Sequence, residues 1–306
     1  MRGQTRLRPG PHGGDGARLA AALGVSPDAV LDLSASLNPC APDVAALVAA
    51  HVGAVRRYPD IEAPTEALAA AIGVPATRVV LTNGGAEAIA LVAAELPVGW
   101  VDEPDFSLYA RHLRVRDRRA RRWRSNPHNP TGRLAAAGDS ADIWDEAFYP
   151  LATATWTRGD PDAVVVGSLT KVFACPGLRV GYVLCPAPDL AERLRERQPR
   201  WSVNGLACAV LPTLLARADL AGWASAVTRL RRELGARLRT AGLEPEPSDA
   251  GFVLVRRAPG LRDHLARRGV LVRDTASFGL EGGVRIAVPD RSGLTRLEGA
   301  LRGWAR

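Results

Sequence analysis

The sequence predicts an α/β fold, with a mostly parallel central sheet, helices on both faces and a smaller α+β unit towards the C-terminal end. Three features predict it. Apolar runs of strand type alternate with helical stretches through about residue 190, the pattern of a parallel sheet with crossover helices. In "RVVLTNGGAEAIALVAAEL" a short strand, Val79 to Thr82, meets Asn83-Gly84-Gly85 and runs directly into a helix. From about Pro186 long helical stretches are followed by short strands and two more helices, an α+β order.

In chain order, residues 1–16 are rich in Gly, Pro and Arg and read as an extended arm. "ARLAAALG" reads as a short helix ending at Gly24, and "VLDLSASLNP" as a strand entering a turn at Asn38-Pro39. "APDVAALVAAHVGAV" reads as a helix with Pro42 and Asp43 at its start, where both residue types are favoured. "RRYPD" interrupts, and "PTEALAAAIG" follows as a helix with Thr65 as the expected cap. "GWVDEP", "AVVVGSLT" and "GLRVGYVLCP" read as further strands. Beyond them come the helical "DLAERLRERQ" and "GLACAVLPTLLARADLAGWASAVTRLRRELGARLRTAG", then "GFVLVRR", "LRDHLARRG", "VLVRD", "GGVRIAV" and a last helix. The expected division is an arm at 1–35, a large domain at 36–190 and a small domain at 191–306.

The chain has 306 residues and a formal net charge of +8. The basic residues are spread along it, which fits an enzyme handling small anions better than a nucleic-acid binder. One cluster, "RHLRVRDRRARRWR" from Arg111 to Arg124, is dense. Read as a solvated helix followed by a strand it needs no ligand; as an RNA patch it has one Trp and no recognisable nucleic-acid fold. Cys40, Cys175, Cys185 and Cys208 form no C-x-x-C pair, and the five histidines show no metal-ligand spacing, so neither a disulfide framework nor a metal is expected. "MRGQTRLRPGPHGGDG" lacks the apolar core of a signal peptide, and no window approaches a membrane-span length. The expected address is the cytoplasm.

Of the 40 Lys and Arg residues, Lys171 alone is lysine. Arginine stays protonated in proteins, whereas a lysine can be deprotonated by its site and then attacks carbonyls. A lone surviving lysine points to covalent chemistry, with a chance leftover of biased composition as the plain alternative. Lys171 directly follows the apolar strand Ala163–Val166 and the polar "GSLT", so it belongs at the carboxyl end of a strand, where open α/β sheets bind ligands. Ser168 and Arg179 flank it, a hydroxyl and a guanidinium suited to a phosphate-bearing aldehyde. Gly84-Gly85 before a helix offers a second anion element, although such a pair is more often only a turn. "NPHNPTG" is a polar turn, and Asp145 in "DEAFY" is either a cap or surface acid or a buried acid facing a cofactor ring.

Taken together, "RYPD", "TNGGAEAI", "DEPDFSLY", "NPHNPTG", "DEAF", "SLTKVFACPGLRVGY" and "VRIAV" resemble, in that order, the fold-type I pyridoxal-phosphate enzymes of the aminotransferase class I/II superfamily. The resemblance covers nearly the whole chain. It implies pyridoxal 5'-phosphate as cofactor, with Lys171 as the Schiff-base lysine and Asp145 on the pyridine nitrogen. It further implies Asn129 on the ring hydroxyl and Phe106 stacked on the ring, with Tyr109 as second candidate. Gly85, Ala86, Ser168 and Arg179 would hold the phosphate, Tyr58 would reach the phosphate of a neighbouring subunit in a homodimer, and Arg285 would bind a substrate carboxylate.

Within the superfamily, "PHGGD…LGVSPDAVLDLSASLNP", "RWSVNGLA" and Phe148 resemble the threonine-phosphate decarboxylases of cobalamin biosynthesis. Arg273, twelve residues before Arg285, would then meet the substrate's phosphate, and His12 and Asn38 would help to orient it. The implied reaction is decarboxylation of L-threonine O-3-phosphate to (R)-1-aminopropan-2-ol phosphate. The alternatives are an aminotransferase of histidinol-phosphate type and a degenerate, non-catalytic cofactor-binding relative. The last is motivated by shortening: little beyond the arginine run separates "DEPDFSLYARHL" from "SNPHNPTG", and only Arg133–Trp144 separates "NPTG" from "DEAF". Shortened or missing sheet elements are expected there.

Overall fold

The structure is a computed structural model and describes residue 10 and residues 12–304. Most of the arm expected at 1–16 lies outside the described residues. Helix α1 (Gly16–Leu23) ends at Gly24, whose φ of 70° lies in the left-handed region. Strand β1 (Leu31–Leu33) follows. Helix α2 (Val44–Ala50) is capped by Asp43, which accepts from the backbone N–H groups of Ala45 and Ala46. Helix α3 (Glu62–Ile72) starts before Thr65, so Thr65 is not its cap; the hydroxyl donates back to the Ile61 carbonyl.

The large sheet then assembles. Strand β2 (Val79–Thr82), helix α4 (Gly84–Glu95), strand β3 (Val98–Val101), helix α5 (Ser107–His112), and strands β4 (Val115–Arg116), β5 (Arg121–Ser125) and β6 (Ile143–Asp145) come first. Helix α6 (Tyr149–Thr153), strand β7 (Val164–Ser168), helix α7 (Leu169–Val172), strand β8 (Gly181–Leu184) and helices α8 (Pro188–Arg197), α9 (Gly205–Ala216) and α10 (Leu220–Thr240) follow. The seven strands lie in the order β2-β8-β7-β6-β5-β3-β4, with β8 antiparallel to both neighbours and the other pairs parallel. Buried strands such as β7 read as unbroken apolar runs because both faces are covered. One face packs on α4, α5 and α8 through Ile89, Tyr109 and Leu194; the other packs on α3, α9 and the start of α10 through Leu68, Leu211 and Trp223.

The second sheet is built from strands β9 (Phe252–Val255), β10 (Val270–Asp274) and β11 (Val284–Ala287), with helices α11 (Leu261–Ala266) and α12 (Arg291–Leu301). Its order is β1-β10-β11-β9, and β1 lies parallel to β10. The strand expected within the arm at 1–35 joins this sheet from Leu31, and α1 packs through Leu19 and Ala20 on Ala266 and Leu271. The expected division near residue 190 also differs from the packing. Helices α8 and α9 pack on the large sheet, and α10 spans both cores, with Trp223 in the first and Leu230, Leu234 and Leu238 in the second. Helical periodicity marks α10 as amphipathic but carries no sign that its partner changes halfway along.

The arginine run is the end of α5, then β4 and β5, joined by residues 117–120, which carry the chain from one side of β3 to the other. In place of a crossover helix, the Arg118 guanidinium lies over the Trp100 ring at 4.5 Å. Residues 133–142 likewise form no helix. Trp144 is covered instead by Arg124 and Arg158, at 5.7 and 5.1 Å, and its indole N–H donates to Asp160 at 2.7 Å. Arg158 donates to the carbonyls of Ala136, Ala137 and Asp139, which fastens that loop to the sheet. Cation–π contact and three charge-assisted bonds thus cover an indole that a helix would otherwise bury.

Arg158→Ala is expected to lower unfolding stability by about 2–4 kcal/mol. Arg158→Lys should restore only part, because one ammonium cannot span three carbonyls. Urea denaturation of the cofactor-free protein measures it; a loss below about 0.5 kcal/mol, the level of an ordinary surface substitution, would contradict this role.

Candidate active site

The carboxyl ends of β6 and β7 open into a cavity of about 260 Å³ between the two sheets. Lys171, in the single turn of α7 that follows β7, reaches into it and donates to the Ala35 carbonyl at 2.8 Å. Burial, and then the charges of Arg285, Arg273 and Arg179, push its amine down to about 8, against the opposing pull of Asp145. At pH 7 about a tenth of the amine is then neutral, a fraction no arginine could supply.

Asp145 ends β6 and lines the same cavity. Its Oδ1 accepts from the Ala147 N–H at 3.0 Å and its Oδ2 from the Tyr109 hydroxyl at 2.7 Å. Burial raises its proton affinity, while Tyr109, Ala147 and Lys171 lower it. The plainer reading of Asp145 as a cap or surface acid is therefore not the one the fold adopts. Phe106 lines the cavity; Tyr109 does not, its ring being packed against Phe106 and Trp123 in the core.

Gly85, Ala86, Ser168 and Arg179 meet at one end of the cavity, around the N-terminus of α4. Gly84 has φ 78°, and a Cβ there would stand 2.6 Å from Arg179 Nη2. Glycine is required on both counts, for the left-handed backbone and for the approach of the guanidinium. Free N–H groups of a helix start, a guanidinium and a hydroxyl make an anion cradle. The Ser168 hydroxyl is 2.7 Å from that of Thr170, another cavity residue the sequence reading missed although it lies in the same "SLTK" run.

At the other end, Arg273 and Arg285 are directly paired across β10 and β11, and both line the cavity. They are 7 % and 3 % exposed. Arg285 donates to Asn129 Oδ1 at 2.6 Å and its Nε is buried without a partner. Burial pulls Arg273 down to about 10; burial and then Arg273 pull Arg285 well below the usual guanidinium range. His12 reaches the same end, 5.5 Å from the Phe106 ring, with Nδ1 buried and unpartnered. Burial, then Arg273 and Arg111, lower its basicity. Asp32 and Ser34 hold His12 there by accepting the N–H groups of Gly16 and Gly14 at 3.0 and 2.8 Å.

Two expected residues lie elsewhere. Asn38 does not line the cavity: its amide donates to the Val172 carbonyl at 2.8 Å and its own N–H donates to the Lys171 carbonyl at 3.0 Å. It braces the lysine's backbone, so direct contact with substrate is not the use its amide is put to. Tyr58 is 78 % exposed and packs on Trp201 at 4.5 Å, outside the cavity of its own chain. Sequence reasoning also missed Asp105, whose buried carboxyl is pushed up to about 7 by desolvation. It accepts from Phe106 N, Ser125 N and Ser125 Oγ, and Ser125 Oγ accepts from Asn129 N, so one acid joins the two loops that present Phe106 and Asn129.

A nucleophilic amine, a shielded acid, an aromatic face and an anion cradle fit a planar aldehyde carrying a phosphate. Gly84→Ala is expected to fold but to weaken pyridoxal-phosphate binding by roughly tenfold or more, because the new Cβ displaces Arg179 from the cradle. Calorimetric titration of the cofactor-free variant tests this, and unchanged affinity would remove the cradle from its assigned place.

The sequence matches the model of the family described as aminotransferase class I and II over residues 123–301. It is 31% identical to a threonine-phosphate decarboxylase of Salmonella typhimurium across 95% of each chain, and 28% identical to histidinol-phosphate aminotransferase 1 of Dechloromonas aromatica across 88% of each. Its fold is similar to histidinol-phosphate aminotransferase from Sinorhizobium meliloti in complex with pyridoxal-5'-phosphate (TM-score 0.81, 18% identity, 97% of this chain and 95% of that one). It is also similar to L-threonine-O-3-phosphate decarboxylase from Porphyromonas gingivalis (TM-score 0.75, 22% identity, 89% and 97%). The chain therefore belongs to the aminotransferase class I and II family of pyridoxal-phosphate enzymes.

Proposed function

We propose that this enzyme decarboxylates L-threonine O-3-phosphate to (R)-1-aminopropan-2-ol phosphate, in cobalamin biosynthesis. The observation that carries the reading is the buried arginine pair. Two like charges directly opposite on neighbouring strands repel, and both guanidiniums are largely desolvated. A substrate with two anionic groups, a carboxylate and a phosphate, relieves both costs at once. The similarity to the Salmonella decarboxylase supports the same choice.

In this reading Gly85, Ala86, Ser168 and Arg179 hold the cofactor phosphate, Asp145 the ring nitrogen, Asn129 the ring hydroxyl and Phe106 a ring face. Bound there, the cofactor supplies an electron sink for a bond breaking at the substrate's α-carbon. Arg285 takes the carboxylate, and its bond to Asn129 fixes the guanidinium's direction. Arg273 and His12 take the phosphate. Loss of CO₂ leaves electrons on the α-carbon that a proton must meet, and in this reading Lys171 Nζ, in the same cavity, delivers it. Phe148, 5.9 Å from Lys171 Nζ, brings no competing hydroxyl to that amine.

The purified enzyme is expected to release one CO₂ per L-threonine O-3-phosphate without any 2-oxo acid. Lys171→Ala should abolish release, and Arg273→Leu should raise KM for the phosphorylated substrate about tenfold or more, as expected for losing a charge-assisted bond. Amino-group transfer from histidinol phosphate to 2-oxoglutarate, with no CO₂, would establish the aminotransferase alternative, which the Dechloromonas relative favours. Absence of both activities would favour the non-catalytic one.

We also propose a homodimer in which Tyr58 reaches the partner's cofactor phosphate. The exposed side chains of Val52, Val55, Tyr58, Ile61 and Trp201 support it, since large apolar groups gathered in one region are usual at interfaces. Val55→Glu is expected to halve the particle mass in sedimentation and to weaken cofactor retention in parallel. A full-mass particle, or a monomer with undiminished retention, would contradict the assignment.

A further inference from the structure

We propose that Tyr109 is a positioning residue whose hydroxyl fixes Asp145 as an oriented, charged partner for the cofactor ring nitrogen. The proposal rests on the reading of Asp145 given above. Tyr109 is three residues from Phe106 on the short helix α5, so one element carries a ring into the cavity and a phenol to the acid behind it. The phenol is 1 % exposed, lies between Phe106 and Trp123, and donates to Asp145 Oδ2 at 2.7 Å. The Ala147 N–H holds the other oxygen at 3.0 Å. With one donor on each oxygen, the carboxylate cannot rotate about its Cβ–Cγ bond without losing both.

The surroundings make this contact consequential. Asp145 is faced by Lys171 from α7, by Asp105 from the loop before α5, by its neighbour Glu146 and by Tyr182 from β8. Only Lys171 among these is a cation, and burial and three arginines lower its own basicity. Burial pushes the proton affinity of Asp145 upward, and the charge of Asp145 in turn raises that of its buried neighbours Asp105 and Glu146. Against burial, the Tyr109 hydroxyl is the largest counterweight, ahead of the Ala147 N–H and Lys171. It remains a donor, because burial and then the charges of Asp145 and Asp105 hold its own ionisation well above the usual phenol range. A Tyr that merely filled the core would do equally well as Phe.

The deciding measurement, the infrared midpoint, is made on cofactor-free protein and is independent of Lys171 chemistry and of the substrate. Infrared difference spectra recorded across pH follow the carbonyl stretch of protonated Asp145, assigned by its loss in Asp145→Asn. In Tyr109→Phe that band is expected to persist to higher pH than in the parent protein, and pyridoxal-phosphate affinity should fall roughly tenfold, the worth of one charge-assisted bond. An unchanged midpoint overturns the proposal while leaving the decarboxylase reading intact. If Tyr109→Phe does not fold, site-specific 3-fluorotyrosine at position 109 serves, being a stronger donor of similar shape. The band should then be lost at lower pH, and an unmoved midpoint again overturns it.

Discussion

The structure turns on one primary amine held among guanidiniums. Arg285, Arg273 and Arg179 all press Lys171 towards its neutral form, burial adds to them, and Asp145 is the acid that opposes. The same three arginines are positioned for anions, so the groups that activate the nucleophile are also those suited to gripping what it acts on. Fixing that amine takes distant parts of the chain. Ala35 accepts from Nζ, and Asn38 binds the carbonyl side of both Lys171 and Val172. A segment more than 130 residues away in sequence therefore sets where the lysine stands.

The cavity belongs to neither sheet alone. The large sheet supplies Lys171, Asp145 and the α4 cradle, and the small one supplies Arg273 and Arg285. β1 ties the N-terminal segment into the small sheet, and Asp32 and Ser34 at its end hold His12 over Phe106. The shortened part of the large sheet lies beside this arrangement without entering it. There Arg118, Arg124 and Arg158 lie on Trp100 and Trp144 where crossover helices would pack. Guanidinium is a suitable cover because it stacks on an indole while its edges still satisfy carbonyl and carboxylate oxygens.

Much of the site was legible in the sequence because its residues sit at strand ends, where local patterns mark them. Lys171 after "VVVGSLT", Asp145 after an apolar pair and Gly84-Gly85 between strand and helix all fell where short-range reasoning puts them. What was not legible depends on pairing across long separations. Leu31–Leu33 is too short to announce a partner, and β10 lies some 240 residues further on. Thr65 reads as a cap by residue type, yet the helix begins earlier and the hydroxyl turns back to Ile61. The family resemblance implies that Asn38 helps to orient the substrate; only the fold shows its amide committed to backbone. The resemblance offers Tyr109 only as a second candidate for stacking on the ring, and Asp105 carries no signal beyond an ordinary acidic residue, since their roles come from burial beside Asp145 and Ser125.

The most direct test is chemical. Protein loaded with pyridoxal phosphate, reduced with borohydride and digested, should show one pyridoxyl-phosphate group per chain, on the peptide containing Lys171. The extent of labelling at a fixed short time should rise with pH and level off above about 8, as the ammonium gives way to free amine. An unlabelled Lys171 in a protein that still carries the cofactor would contradict the assignment on which the site is built.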